Sequence, residues 1–390
     1  TTHDVRDPRI HLRLGLGLAE RGYEIELIGG VNDDFEIQQP FLQRIKDRVN
    51  WHPLSTQLPP EKQTELRHKA TKLRYRTKRL MECWKLWTRL QPELIIICDP
   101  ELIPTVRLWT SIHKKPWILD LHEDVFDSYY PKNRYLQKLV TWAFKQADGV
   151  ITAFKPRQEE VRHLISVLHA TALNYFPFRL FEKFYDSSDY PDYRSKSASE
   201  YVIGYTGILG RERGIDRIIP LIDQLNNRGI DARAHIAGRC YQPDFLNELY
   251  QLISTIQWHN KIELICGNRF CDWFELQHLV RRADYGYLLY PENTLHWYLP
   301  TKVFEFAAHQ IPFLSTPIPS FQDLLKDYQI GSELPFPYNK KTNEPALERI
   351  AELLESRRKD EISYDFDAFN RNHRWESQLD NIETLIQQVV

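Results

Sequence analysis

No run of eighteen apolar residues occurs in this chain of 390 residues, so no membrane-spanning helix is expected. The chain opens on TTHDVRDPR instead of a basic and then apolar leader, so no signal peptide is expected, and the missing initiating Met leaves upstream residues open. Five cysteines, Cys83, Cys98, Cys240, Cys266 and Cys271, form no Cys-x-x-Cys pair, and the Cys266/Cys271 spacing has no nearby histidines to complete a zinc set. All five are expected as small buried residues in a reducing compartment. Net charge is nearly absent too: a formal −2 gives no field to attract nucleic acid, which is not an expected partner.

Several catalytic signatures are also missing. The glycine cluster GYTGILGRERG is neither G-x-G-x-x-G nor a Walker A loop, and His122-Glu123 continues with Asp-Val-Phe, which is not H-E-x-x-H. There is no G-x-S-x-G elbow and no cysteine clearly paired with a histidine, so zinc-protease and covalent hydrolase chemistry lack support.

What is present is material for two cores. An apolar content of 42% over this length makes two domains the default, and 13% aromatics supply rings able to stack on sugars, although most are expected inside. The first half reads as loop, helix (HLRLGLGLAERG) and strand (YEIELIGG), then short strands at Leu94–Cys98, Trp117–Leu119 and Gly149–Thr152 with helix-length stretches between. Ser, Asp and Pro crowd into Asp186–Glu200, which marks a linker. Beyond it the alternation resumes: YVIGYTG, a helix from Gly214 to Asn227, DARAHIAG, a helix through Leu252, KIELIC, a helix near Trp273–Arg282, and DYGYLLY. This is the pattern of parallel sheets covered on both faces, with ligands expected beyond the carboxyl ends of the strands. The boundaries expected are 1–185, linker 186–200, 201–372, and a C-terminal helix over 373–390 that returns to the first domain.

HKATKLRYRTKRLMECWKLWTRL carries eight Lys or Arg in 23 residues, with Leu73, Leu80, Trp84 and Trp87 near helical spacing. It reads either as a solvated outer helix or as one resting on a membrane surface or an anionic acceptor.

Three constellations could carry chemistry. Gly204, Gly207, Gly210 and Gly214, at the end of a strand and in its turn, permit close approach to a diphosphate, with Arg211 or Arg213 supplying charge. In LPTKVFEFAAHQIPFLST, Pro300 suits a helix entry, Lys302 lies in the first turn, and Glu305 is three residues on, so a phosphate could meet N–H groups and a cation while the carboxylate reaches a sugar hydroxyl. A structural Lys302–Glu305 ion pair is the alternative. In LDLHEDVFDSYYPK, Asp120, His122, Glu123 and Asp124 follow a strand end, where they could contact substrate, hold a divalent metal or cap a neighbouring element.

The chain resembles over essentially its whole length a glycosyltransferase of the two-Rossmann-domain type (GT-B), closest to the large retaining group numbered family 4. The resemblance is carried by DPRIHLRLGLGLAERGYEIELIGG, LDLHEDV, GYTGILGRERGIDRIIP, KIELICGN, ADYGYLLYP and LPTKVFEFAAHQIPFLST. It implies an α/β fold of two Rossmann-like domains facing each other across a cleft. It also implies a nucleotide-sugar donor, UDP-sugar favoured and GDP-sugar next, and a saccharide or lipid-linked acceptor, with retention and without a metal or other cofactor. Glu305 falls on the family glutamate that grips the ribose, and Arg213, before Gly214, on the donor-phosphate ligand. Lys302 joins the phosphate contacts, His122 orients the donor sugar, and Asp120, Glu123, Asp7 and Arg9 fall on the acceptor or donor-sugar side. Two positions depart from the pattern: Ile208 follows the first loop glycine where many members have arginine, and Trp297 stands where many carry a second glutamate. A nucleotide-sugar 2-epimerase and an inactive scaffold of the same fold remain as alternatives. The location expected is cytoplasmic, with the basic helix at the inner face of a membrane.

Overall fold

The computed structural model describes residues 7–30, 45, 47–54, 65–121, 134–153, 167–190, 199–267, 271–291, 299–334, 344–359 and 361–390, with side chains omitted at 65–76, 136, 266, 344–345 and 357–358. The chain divides into two compact units, Thr1–Leu180 with Trp375–Val390, and Phe181–Arg374.

In the first unit Asp7 caps α1 (Pro8–Leu16, wide-turned, running on into Gly17–Ala19), its Oδ1 accepting Arg9 N–H at 2.8 Å, and Pro8 supplies a first helical residue with no N–H to satisfy. β1 (Glu26–Gly30) pairs in parallel with β2 (Asn50–Leu54). Then follow α2 (Glu65–Leu90), β3 (Ile95–Ile97), α3 (Ile103–His113), β4 (Trp117–Leu121), α4 (Arg134–Gln146), β5 (Gly149–Thr152) and β6 (Leu168–Thr171). The last four strands form one parallel sheet in the order β3-β4-β5-β6. Strand alternation sorts its two faces: Trp117, Leu119 and Leu121 meet Cys83 and Trp87 of α2, Val106 and Trp109 of α3, and Val140 and Phe144 of α4 in one core. On the opposite face the C-terminal helix (Trp375–Val389) packs so closely on β5 that a Cβ at Gly149 would lie 3.1 Å from Leu385. Trp375 Nε1–H donates to Arg13 O at 2.9 Å, and Arg21 pairs with Asp380 and Glu383. The last helix is thereby part of the first unit.

The second unit is a six-stranded, wholly parallel sheet, introduced by α5 (Phe178–Phe184). It contains β7 (Tyr201–Thr206), α6 (Ile218–Asn227), β8 (Ala232–Arg239), α7 (Pro243–Thr255), β9 (Ile262–Gly267), α8 (Trp273–Val280), β10 (Tyr285–Leu288), α9 (Thr301–Ala308), β11 (Phe313–Ser315), α10 (Pro319–Asp327), β12 (Gly331–Glu333), α11 (Glu344–Arg358) and α12 (Phe366–Asn372). Strand order is β12-β11-β10-β7-β8-β9. From β7 the chain winds outward through β8 and β9, then returns to β7's other side with β10, so the order reverses between β7 and β10. That reversal opens a crevice at the carboxyl ends of those two strands. The strands read as unbroken apolar runs because both sheet faces are covered: Ile203, Tyr205, Ile236, Tyr285 and Tyr287 lie in the main core on one face, and Ala237 and Ile265 pack with Leu279 of α8 on the other.

Four details differ from expectation. The division falls inside α5, ahead of Asp186–Glu200, because the rings of Phe181 and Tyr185 stack on Phe274 (5.9 and 6.3 Å between centroids). Two strands, β2 and β6, had no visible apolar signal, since NWHPL and LHAT owe their form to a parallel neighbour. Trp84 and Trp87 of the basic helix pack inward on the first unit's core and are not surface anchors. Cys83, Cys98 and Cys240 are free and buried, but Cys271 is disulfide-bonded, which corrects the reading of five free thiols. Pairing depends on a Cα separation that only the fold sets. Among the described residues no helix is long and apolar enough to cross a membrane.

Candidate functional site

The crevice between β7 and β10 is built from three glycines in conformations that L side chains avoid. Gly207 follows β7 at φ +124°, its N–H bonded to Ala237 O at 2.8 Å, and Leu209 N–H bonds Arg239 O at 2.9 Å, so the loop keeps to the edge of β8. Gly238, at φ +143°, makes this approach possible: a Cβ there would overlap the Gly207 carbonyl oxygen. Gly214, at φ +66°, ends the turn Arg211–Arg213, and its carbonyl accepts the Tyr287 hydroxyl at 2.8 Å. The loop is thus pinned at three points across β8 and β10. Tyr205 adds a fourth, donating its hydroxyl to Ile208 O at 2.7 Å.

Pro300 caps α9 in extended conformation, which places Lys302 in its first turn and Glu305 one turn on. Lys302 reaches back over the loop: a Cβ at Gly207 would lie 2.6 Å from its Nζ, and Nζ stands 5.2 Å from the Tyr205 ring centroid. Desolvation of that ammonium lowers its pKa to about 8; Arg213 adds repulsion, and Glu305 opposes both. Arg213 lies 5.7 Å from the Tyr290 ring, just past the end of β10. Glu305 is buried, and its Oε1 accepts the indole N–H of Trp273 at 3.0 Å. Burial also drives the Tyr205 hydroxyl well above its ordinary pKa, so it stays a neutral donor. The result is a glycine loop with two cations and an oriented carboxylate at a strand-order reversal, a geometry suited to an anion joined to a polyol.

The two arginines named from sequence separate. Arg211 pairs with Glu248 and lies 4.9 Å from the Phe245 ring, both on α7, whereas Arg213 shares the electrostatic field of Lys302. In the first unit Arg9 and Asp120 are buried and bonded to each other, and Asp7 is committed to capping α1. His122, Glu123, Asp124 and Trp297 lie outside the described residues. Tyr205, Trp273, Tyr287 and Gly238 do not stand out in the sequence, because Trp273, Tyr287 and Gly238 act through neighbours distant in the chain and Tyr205 joins the nearby Ile208 carbonyl to the distant Lys302. Buried Thr206, Ser315 and Thr316, at or just past the ends of β7 and β11, are a further surprise. Their hydroxyls have no hydrogen-bond partner among the described residues. Among those residues no group of three or more His, Cys, Asp or Glu is arranged to hold a metal.

No protein-family model and no curated protein matches the chain. Solved structures do. The chain is similar to Anabaena Alr3699/HepE in complex with UDP (TM-score 0.62, 13% identity, covering 99% of this chain and 97% of that one). It is also similar to HepE with UDP-glucose (0.61, 14%, 97% and 92%). Sucrose-phosphate synthase from Thermosynechococcus elongatus gives 0.60, 13%, 97% and 92%. At such identities the likeness is one of fold, and the fold is GT-B: two α/β Rossmann-like domains.

Proposed function

We propose that the protein is a glycosyltransferase that binds a nucleotide-diphosphate sugar in its second unit and moves the sugar to a hydroxyl of a saccharide or lipid-linked acceptor. The observation that carries this reading is the approach of Lys302 Nζ to Gly207, at the strand-order reversal, with Arg213 in the same field. A diphosphate there would meet two cations and the first-turn N–H groups of α9, while Glu305, held by Trp273, would accept ribose hydroxyls. UDP is the favoured donor base, since UDP and UDP-glucose occupy HepE, the structure similar to this one.

In the transfer itself, Lys302, Arg213 and the helix start would stabilise negative charge as it grows on the leaving diphosphate. Two side-chain cations make a metal-independent reaction reasonable on charge grounds. The family resemblance supports retention, with the acceptor attacking from the face the diphosphate leaves and the departing phosphate oxygen taking the proton. His122 is assigned to orienting the donor sugar.

One observation favours a second reading. Ile208, in place of the family's loop arginine, is 48% exposed at the loop, as a degenerate binding subunit would tolerate. Calorimetry with UDP, GDP, ADP, CDP and their sugars, against Glu305→Ala, separates the two. The transferase reading expects one diphosphate bound selectively and weakened by roughly 2–4 kcal/mol in the variant, with turnover on an acceptor panel. Tight binding without turnover favours the scaffold; no binding of any nucleotide sinks the donor site.

A further inference from the structure

The outer faces of α2, α3 and α4 carry a surface the donor site does not use. Their inner faces share one core over β3, β4 and β5, and α3 packs against both α2 and α4, so the three helices form one layer. Outward, α4 presents Tyr135 (72% exposed) and Trp142 (41%), two turns apart, on a face shared with exposed Lys138 and Lys145. α3 presents Leu108 (58%) and Ile112 (60%), one turn apart, and ends on Lys114 and Lys115. α2 adds Met81 (56%), between exposed Lys78 and Lys85.

Charge on this face is one-sided. Ile103 to Lys115 and Arg134 to Gln146 together hold six Lys or Arg and no Asp or Glu. On α2, Glu82 is paired with Lys78 at 3.7 Å. Large apolar groups exposed together mark an interaction site, and a second copy of this face would set like charges against one another. A bilayer with anionic headgroups matches both features: phosphates meet the lysines, and the interface takes Trp142, Tyr135, Leu108 and Ile112. We propose that the outer face of the α2–α3–α4 layer docks on an anionic lipid surface. The anchors are Trp142 and the exposed groups of α3, not the inward-facing Trp84 and Trp87 of the basic helix.

The test is cosedimentation of the full chain with phosphatidylcholine vesicles with and without phosphatidylglycerol, at low and high salt. Wild type is expected to bind only the anionic vesicles and to weaken as salt rises. Lys138→Glu/Lys145→Glu should lower partitioning by about 30-fold or more, and Trp142→Ser should remove the part that resists salt. All three positions are exposed, so the thermal midpoint and nucleotide binding should not change. Absence of binding to anionic vesicles at low salt, or equal binding by the variants, overturns the proposal. So does a concentration-dependent dimer broken by the same substitutions, which would assign the face to a second copy. Nucleotide binding in the same samples reports on the donor site separately.

Discussion

Arg9 and Asp120 face each other inside the first unit, Nη2 to Oδ1 at 2.7 Å and Nε to Oδ2 at 3.3 Å, with side chains 4% and 1% exposed. The guanidinium also donates to Ala172 O at 2.9 Å and to Asn174 Oδ1 at 2.6 Å, and lies 5.7 Å from the Trp375 ring. One buried cation thus ties α1 to the end of β4, the chain after β6 and the C-terminal helix.

Removing one partner strands the other's charge. Asp120→Ala should cost about 3–5 kcal/mol in urea unfolding of the first unit. The double variant Arg9→Met/Asp120→Leu should lose less than the sum of its singles. Additive losses in that cycle would mean the pair does not interact.

Lys302 should make donor affinity depend on pH. Its ammonium binds phosphate only when protonated, and its pKa in the free protein is about 8. Affinity for a nucleotide-sugar, whose diphosphate keeps its charge, should therefore be level below that pH and fall as pH rises through it, by up to about tenfold per unit. Lys302→Met should bind weakly with a flat profile. A wild-type profile without a break near 8, in calorimetry across the range, would separate Lys302 from the phosphate.

Gly214→Ala should weaken nucleotide binding. The left-handed backbone strains any L residue, and the new Cβ would lie 2.5 Å from Leu289 O. Gly229→Ala is the control: φ is +81° with nothing within 4 Å of a Cβ, so it should cost about 1 kcal/mol in stability and leave nucleotide affinity alone.

Asp272 caps α8 through Glu275 N–H at 2.9 Å, yet burial raises its pKa to about 6, against two backbone hydrogen bonds that lower it. The folded state therefore holds this proton more tightly than the unfolded chain. Stability falls as pH rises from about 4 to 6 and is level above. Asp272→Asn keeps a capping oxygen without the charge, so its unfolding free energy in urea should match wild type near pH 4 and exceed it at pH 7, by up to about 3 kcal/mol. An offset independent of pH would rule out the buried ionisation.

Much of the fold was legible because parallel strands covered on both faces must be short apolar runs. LIIIC, YVIGYTG and DYGYLLY announce themselves, and NWHPL and LHAT do not. The donor-side loop was legible for a similar local reason, since glycines after a strand and a Pro-x-Lys-x-x-Glu helix start are short-range signals.

The sequence by itself determined the alternation of strands and helices, the glycine loop after β7, and the turn of α9 that carries Lys302 and Glu305. Tertiary structure alone decided that Arg213 joins Lys302 while Arg211 turns to Glu248, that Arg9 meets Asp120, that Trp273 holds Glu305, and that Trp142 faces outward while Trp87 faces in. Periodicity records which residues want burial or a turn. It does not record which distant partner satisfies a charge or an indole N–H, because that choice is made by the packing of elements far apart in the chain.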